Sequence, residues 1–262
     1  MQVFSAIQKK ADDAILDNFR KIPHNTSRID GEGENAGVQP QPAVYTTMKK
    51  HISMAVIRRM PRYYRFLRQL EAQGVARISS KNLAQRMNVN PSQIRQDLSC
   101  FGDFGQQGYG YTVSQLKEST AGILGLSNSY KTILIGAGNL GKTLLSHLSF
   151  EQFGFRIIGV FDRAPAVVGT KFLEFEILGI DSLGEFCFSE KPEMAILCLP
   201  EQAAGEVVSL LHESGVKNYW NFSHHDIALE YDDVIVENVH LNDSLMTLCY
   251  RITHADDEAE QE

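Results

Sequence analysis

The sequence predicts an α/β protein in two parts, a small helical module closed by a β-hairpin followed by a parallel sheet wound with helices. Three observations predict it. Amphipathic helical stretches separated by short turns fill residues 52–101, a glycine-rich hairpin pattern follows, and from Lys131 apolar strands alternate with helical runs. The 262 residues, 43% hydrophobic and 22% charged, suit a globular protein large enough for two domains.

Within ISMAVIRRMPRYYRFLRQLEAQ (52–73), Val56, Ile57, Met60, Tyr64, Leu67 and Leu70 recur mostly at three- and four-residue steps. Arg58, Arg59, Arg62, Arg65 and Arg68 occupy the other face, and Pro61 fits a first helical turn. SSKNLAQRM opens a second helix with Ser79 or Ser80 as N-cap, Asn88-Val89-Asn90 turns the chain, and PSQIRQDLSCF starts a third helix on Pro91. Three short helices with a tight turn between the last two are the plan of a helix-turn-helix. In FGDFGQQGYGYTV, Gly102, Gly105, Gly108 and Gly110 allow tight turns, while Tyr109, Tyr111 and Val113 favour strand, the plan of a β-wing.

The second part starts with TILIG, a buried strand that runs into Gly136-Ala137-Gly138-Asn139-Leu140-Gly141 and the helix KTLLSHLS. RIIGVFD, EMAILCLP, VKNYWNF and VIVENVHL read as further strands, AAGEVVSLLHESG as a helix and DSLMTLCYRI as a last short helix. A bare G-x-G-x-x-G is weak, since glycines gather in turns generally. Here a strand precedes it, a helix follows it, and Asp162 ends the next strand 21 residues past Gly141. Gly136 then permits the turn, Gly138 admits a pyrophosphate, Gly141 lets the helix pack, and the helix N-terminus faces the phosphates. Asp162 would accept from an adenosine ribose and repel a 2′-phosphate, which favours NAD(H) although Arg163 stands beside it.

Net charge divides along the same line. Residues 48–125 carry twelve Lys/Arg against four Asp/Glu, whereas residues 126–262 carry eight against twenty-two. The basic part would attract a polyanion such as DNA and the acidic part would be repelled by one. Cys100, Cys187, Cys198 and Cys249 lie far apart without metal-ligand spacing, which points to reduced thiols in a cytoplasm and to no zinc site. No apolar run is long enough for a membrane span. Residues 1–47 read as a disordered or loosely attached extension, or translation begins at Met48; residues 254–262 read as a disordered acidic tail.

The combination of D-L-S-x-F-G-x-F-G (97–105) with G-A-G-N-L-G (136–141) resembles the Rex family of redox-sensing repressors, over about Val56 to Ile252. The resemblance implies a winged-helix domain at 48–125, a Rossmann NAD(H)-binding domain at 126–241 and a swapped C-terminal dimerisation helix at 242–253. It further implies a homodimer on palindromic operator DNA that NADH releases and NAD⁺ restores, with no catalytic residues. Carried over residue by residue, Gln93, Arg95 and Ser99 fall on the recognition helix and Tyr109 in the wing. Ser79, Ser80 and Lys81 suit phosphate contacts at the preceding helix N-terminus. Arg95 is the leading candidate for a base or phosphate contact, against a plain solvated face.

The chain departs from the family pattern in several places. Gln106 and Gln107 stand where the wing normally carries an arginine, and Gln96 where a lysine is common, so DNA affinity should be lower and its salt slope shallower. Cys100 replaces a tyrosine and reads as a packed thiol rather than a sensor. The family's switch joins an arginine, a tyrosine and an aspartate; Arg65 matches the first, but His147 and His240 replace the others. Either the redox response is altered, or other contacts carry it, or pH enters through histidine protonation. Two alternatives remain at this point: a regulator of the same fold with another nucleotide effector, and an NAD-dependent dehydrogenase using His224 or His225.

Overall fold

The computed structural model describes residues 52–102, 105–106 and 110–255, all within the compact unit Lys49–Glu262. The extension expected at 1–47, residues 256–262 of the tail, and Tyr109 lie outside the described residues.

Where the sequence pattern suggested one helix over 52–73, the chain forms α1 (Met54–Ile57) and then α2 (Met60–Ala72), with Pro61 in its first turn. The break at Arg58-Arg59 resets the helical phase. The core-facing tyrosine is therefore Tyr63 rather than Tyr64, and it is buried with Met60, Leu67 and Leu70. After β1 (Arg77–Ile78), Ser79 caps α3 (Ser80–Met87) by accepting from the Asn82 backbone N–H at 3.1 Å. Asn88 ends that helix in the left-handed region, and Asn90 caps α4 (Pro91–Ser99) by accepting from Ser92 N–H at 2.8 Å. β2 (Gly105–Gln106) and β3 (Gly110–Thr112) complete a three-stranded antiparallel wing in the order β1-β3-β2. Gly110 is required there: a Cβ would stand 2.6 Å from the Ile78 carbonyl oxygen.

Val113, a strand former by propensity, instead opens α5 (Val113–Ile123), which the sequence reading did not foresee. Val113, Leu116 and Thr120 bury one helical face, so tertiary packing overrides local preference. One apolar core joins α2, α3, α4 and α5 through Leu67, Leu83, Ile94, Leu98 and Leu116.

Beyond this module come β4 (Tyr130–Ile135), α6 (Asn139–His147), β5 (Phe155–Asp162), β6 (Lys171–Phe172), β7 (Phe175–Gly179), α7 (Leu183–Glu190), β8 (Met194–Leu197), α8 (Glu201–Glu213), β9 (Asn218–Asn221), α9 (Ile227–Glu230), β10 (Ile235–Asn238) and α10 (Leu241–Thr253). The strands order as β10-β9-β8-β4-β5-β7-β6, parallel throughout except for β6 at the edge. The β6–β7 hairpin and α7 were missed from sequence, because alternating charge in KFLEFEILG hides strands that are only half-buried. Ile133 and Ile135 face one apolar layer with α7 and α8, and Leu134 faces the other with Leu145 and Phe150. β4 is central, with β5 on one side and β8 on the other, so chain direction across the sheet reverses at its carboxyl end. Ligands of such sheets bind in the crevice there.

Candidate functional site

β4 leads into Gly136, whose φ is +101° and whose N–H donates to the Phe161 carbonyl at 2.8 Å. A Cβ at Gly136 would lie 2.4 Å from the Cys198 carbonyl oxygen, and one at Gly141 2.0 Å from the Gly136 carbonyl oxygen. A Cβ at Gly138 would meet nothing within 4 Å. The outer two glycines are thus demanded by packing, and the middle one borders open space. α6 begins at Asn139 with no side-chain cap, so its first-turn N–H groups are available to an anion. Ala137 is buried against the sheet, and Asn139, Leu140 and Gly141 form that first turn.

Asp162, expected at the ribose, is bonded to backbone on both sides. Its Oδ2 accepts from Ala137 N–H at 2.7 Å and its Oδ1 from Ala164 N–H at 2.8 Å, which clips the phosphate loop to the end of β5. Each oxygen retains a lone pair for a ribose hydroxyl. The Cys198 carbonyl flanks the loop; burial pushes its thiol up to about 12, and that of Cys187 up to about 11, so both stay protonated.

On the helical module, α3 and α4 bring several of the expected DNA-facing residues together. Arg95 Nη1 donates to Ser80 Oγ at 3.2 Å and its Nη2 to Ser92 Oγ at 3.1 Å, all on an exposed face beside Lys81. Ser92 was not singled out from sequence; its place three residues before Arg95 was the available signal. Ser79 uses its oxygen as the cap, and Ser99 Oγ donates to the Gln96 carbonyl at 2.8 Å. Gln93 points inward, its Nε2 donating to Asp97 Oδ1 at 2.8 Å.

Asp97 is 1% exposed and collects further donors. Arg59 grips it with Nε on Oδ2 at 2.7 Å and Nη2 on Oδ1 at 2.6 Å, and Tyr63 OH donates to Oδ2 at 2.9 Å. Burial alone would raise the Asp97 pKa, but the bonds from Arg59, Tyr63 and Gln93 outweigh it and hold the carboxyl below the ordinary range. Burial and the same carboxylate raise the Tyr63 pKa. Arg59, placed from sequence on the arginine face as a phosphate contact or plain solvated surface, is instead committed to this network. The Arg62 guanidinium donates to the Met87 carbonyl at the end of α3.

The expected switch residues lie apart in sequence. Arg65 lines a cavity of about 450 Å³ with Tyr64, Arg68, Leu126, Tyr130 and Phe155, where the helical module meets the sheet. His147 ends α6, and His240 is the N-cap of α10, its ring stacked on His224 at 4.8 Å. Among the described residues no hydrogen bond or ion pair links Arg65, His147 and His240. A second cavity of about 480 Å³, lined by Leu148, Phe150, Met194, Trp220 and Ile235, opens on the sheet. α10 has no buried residue and exposes Leu241, Leu245, Met246, Leu248, Tyr250 and Ile252. Among the described residues no metal-binding cluster occurs, and no helix is long and apolar enough to cross a membrane.

Residues 51–99 match the family described as "Putative DNA-binding protein N-terminus", and residues 127–225 the family described as "CoA binding domain". A redox-sensing transcriptional repressor Rex of Clostridium botulinum is 48% identical over 200 residues, covering 76% of this chain and 95% of the relative. The Rex repressor of Clostridium perfringens is 46% identical over 208 residues, covering 79% and 98%. Among solved structures, RSP with β-NAD⁺ and operator DNA superposes with a TM-score of 0.73 at 45% identity, covering 81% of this chain and 97% of that one. RSP with β-NADH superposes at 0.72 and 42% identity, covering 82% and 100%. Winged helix and Rossmann sheet thus recur together along nearly the full length of these proteins, and the chain belongs to the Rex family of redox-sensing transcriptional repressors.

Proposed function

We propose that two copies of this chain hold a palindromic operator, that NADH in the Rossmann crevice releases it, and that NAD⁺ competes and restores binding. The observation that carries this reading is the glycine cradle, closed by packing at Gly136 and Gly141 and open at Gly138, with Asp162 pinned beside it. RSP is described with β-NAD⁺, with β-NADH and with operator DNA. A ligand can weaken DNA binding only by preferring the DNA-incompetent arrangement, so NADH and NAD⁺ must differ in the arrangement they favour.

Residues 48–125 read DNA, 126–241 bind the dinucleotide and 242–253 dimerise. Gly136, Ala137, Gly138, Asn139, Leu140, Gly141 and Asp162 hold NADH or NAD⁺. Ser80, Lys81, Ser92 and Arg95 meet the duplex, with Ser79, Gln93, Ser99 and Tyr109 supporting them. The bare apolar face of α10 supports dimerisation, since a partner's copy of that helix would cover the apolar cavity near Ile235. Arg65, His147 and His240 contribute to coupling across that dimer. The site is cytoplasmic, where DNA, dinucleotide and four free thiols coexist. The relatives are repressors, and the dehydrogenase alternative is set aside.

One observation favours a second effector class: the sheet domain matches a family described by coenzyme A binding. Coenzyme A shares the adenosine pyrophosphate but brings a ribose phosphate towards Asp162. A gel-shift titration on a palindromic duplex with NADH, NAD⁺ and coenzyme A added separately decides among them. Release by NADH alone is expected; release by coenzyme A alone would overturn the redox reading.

A further inference from the structure

We propose that Asp97 is a positioning residue of the DNA reader: it locks α2 and α4 into one rigid piece and sets the rotation at which α4 presents Arg95. The inference rests on the DNA-reading function above and goes beyond it by naming what aims the reading face. The carboxylate takes four donors from three side chains, and two of those side chains, Arg59 and Tyr63, come from the start of α2. Tyr63, Leu67, Ile94 and Leu98 belong to one apolar core beside it.

Apolar packing is non-directional and would tolerate a small roll of α4 about its axis. Directional bonds to a buried carboxylate would not. At 3.6 residues per turn, Arg95 and Ser99 each lie about 200° around the helix from Asp97. Holding Asp97 inward therefore holds Arg95 outward, where Ser80 and Ser92 steady its guanidinium. A bidentate contact to a base edge tolerates little rotation, whereas a charge facing phosphates tolerates much.

The geometry also connects the reader to the cavity against the sheet. α2 carries Tyr63 on the face towards Asp97 and Tyr64, Arg65 and Arg68 on the face towards the cavity against the sheet. A displacement of α2 at that cavity is then delivered to α4 without slack. Gln93 acts within the same network, so its amide nitrogen serves alignment rather than base contact.

The test uses the full chain and the duplex that the unmodified protein selects best from a randomised pool, against a scrambled duplex of equal composition. In Asp97→Asn, the ratio of selected to scrambled affinity is expected to fall about tenfold or more. Scrambled-duplex affinity, its salt slope and NADH affinity should stay at the unmodified values, because the phosphate-facing charges and the sheet are untouched. Tyr63→Phe removes one bond and keeps the ion pair. It should lower the ratio in the same sense by a smaller factor, and it decides the matter if Asp97→Asn does not fold. An unchanged ratio in a folded variant overturns the positioning role. Equal losses on both duplexes also overturn it, since they mark general damage. Failure of the unmodified chain to enrich any duplex overturns the DNA reading itself, and this proposal with it.

Discussion

The two ends of the molecule hold their working parts by different means. In the reader, a buried carboxylate and its ring of donors orient α4. In the sensor, backbone atoms at van der Waals limits and two glycines shape the phosphate loop, with Asp162 adding two bonds to backbone N–H groups. Directional charge fixes an angle, as recognition of base edges demands. Close backbone packing fixes a cradle, as a pyrophosphate demands. The first arrangement answers to pH and to loss of one side chain; the second answers to the addition of one methyl group.

Gly141→Ala should break the sensor most severely. With a methyl 2.0 Å from the Gly136 carbonyl, the loop must move, and NADH affinity should fall on the order of 100-fold, about 2.7 kcal/mol. Fluorescence titration with NADH checks this, while duplex binding persists and ceases to respond to NADH. Full NADH affinity in this variant would show that the cradle is not the site.

Arg95→Ala should break the reader by a little less, about 1–3 kcal/mol on the selected duplex, with the sensor unaffected. Its salt slope tells which contact was lost. A slope unchanged on the selected duplex marks a base contact, and a slope reduced by about one marks a phosphate.

Asp162→Ser sharpens the comparison within the sensor. NADH affinity should drop on the order of tenfold, while the preference for NADH over NADPH narrows, as titration of both dinucleotides would show. A preference left intact would place discrimination elsewhere.

Acid provides the mildest contrast. The native Asp97 pKa lies below its unfolded value, so its stabilisation is complete above the ordinary carboxylate range and drains as pH falls through the native value. The sensor's depressed carboxylate, Asp233 at about 2 beside Lys217 and His212, is exposed and screened by solvent. Hydrogen exchange between pH 5 and pH 3 should therefore show protection lost first in α2 and α4, and Asp97→Asn should flatten that dependence.

Much of this architecture was legible in the sequence because its signals are local. Pro91 after Asn90, Ser79 before a helical run, and Gly136 to Gly141 between strand and helix each act within a few residues. The misses share a cause. Whether Tyr63 or Tyr64 enters the core depends on a phase reset at Arg58-Arg59, and Val113 enters a helix because α5 packs on α2. Nothing in the spacing around Asp97 pointed to its partner Arg59, which comes from 38 residues away. Long-range partners leave no trace in the spacing of one segment.

Coupling between the dinucleotide crevice and the duplex is reciprocal. The most direct test measures NADH affinity calorimetrically with the protein free and with the selected duplex saturating. Duplex should weaken NADH binding by the same factor by which NADH weakens duplex binding. Equal NADH affinity with and without duplex would contradict the account.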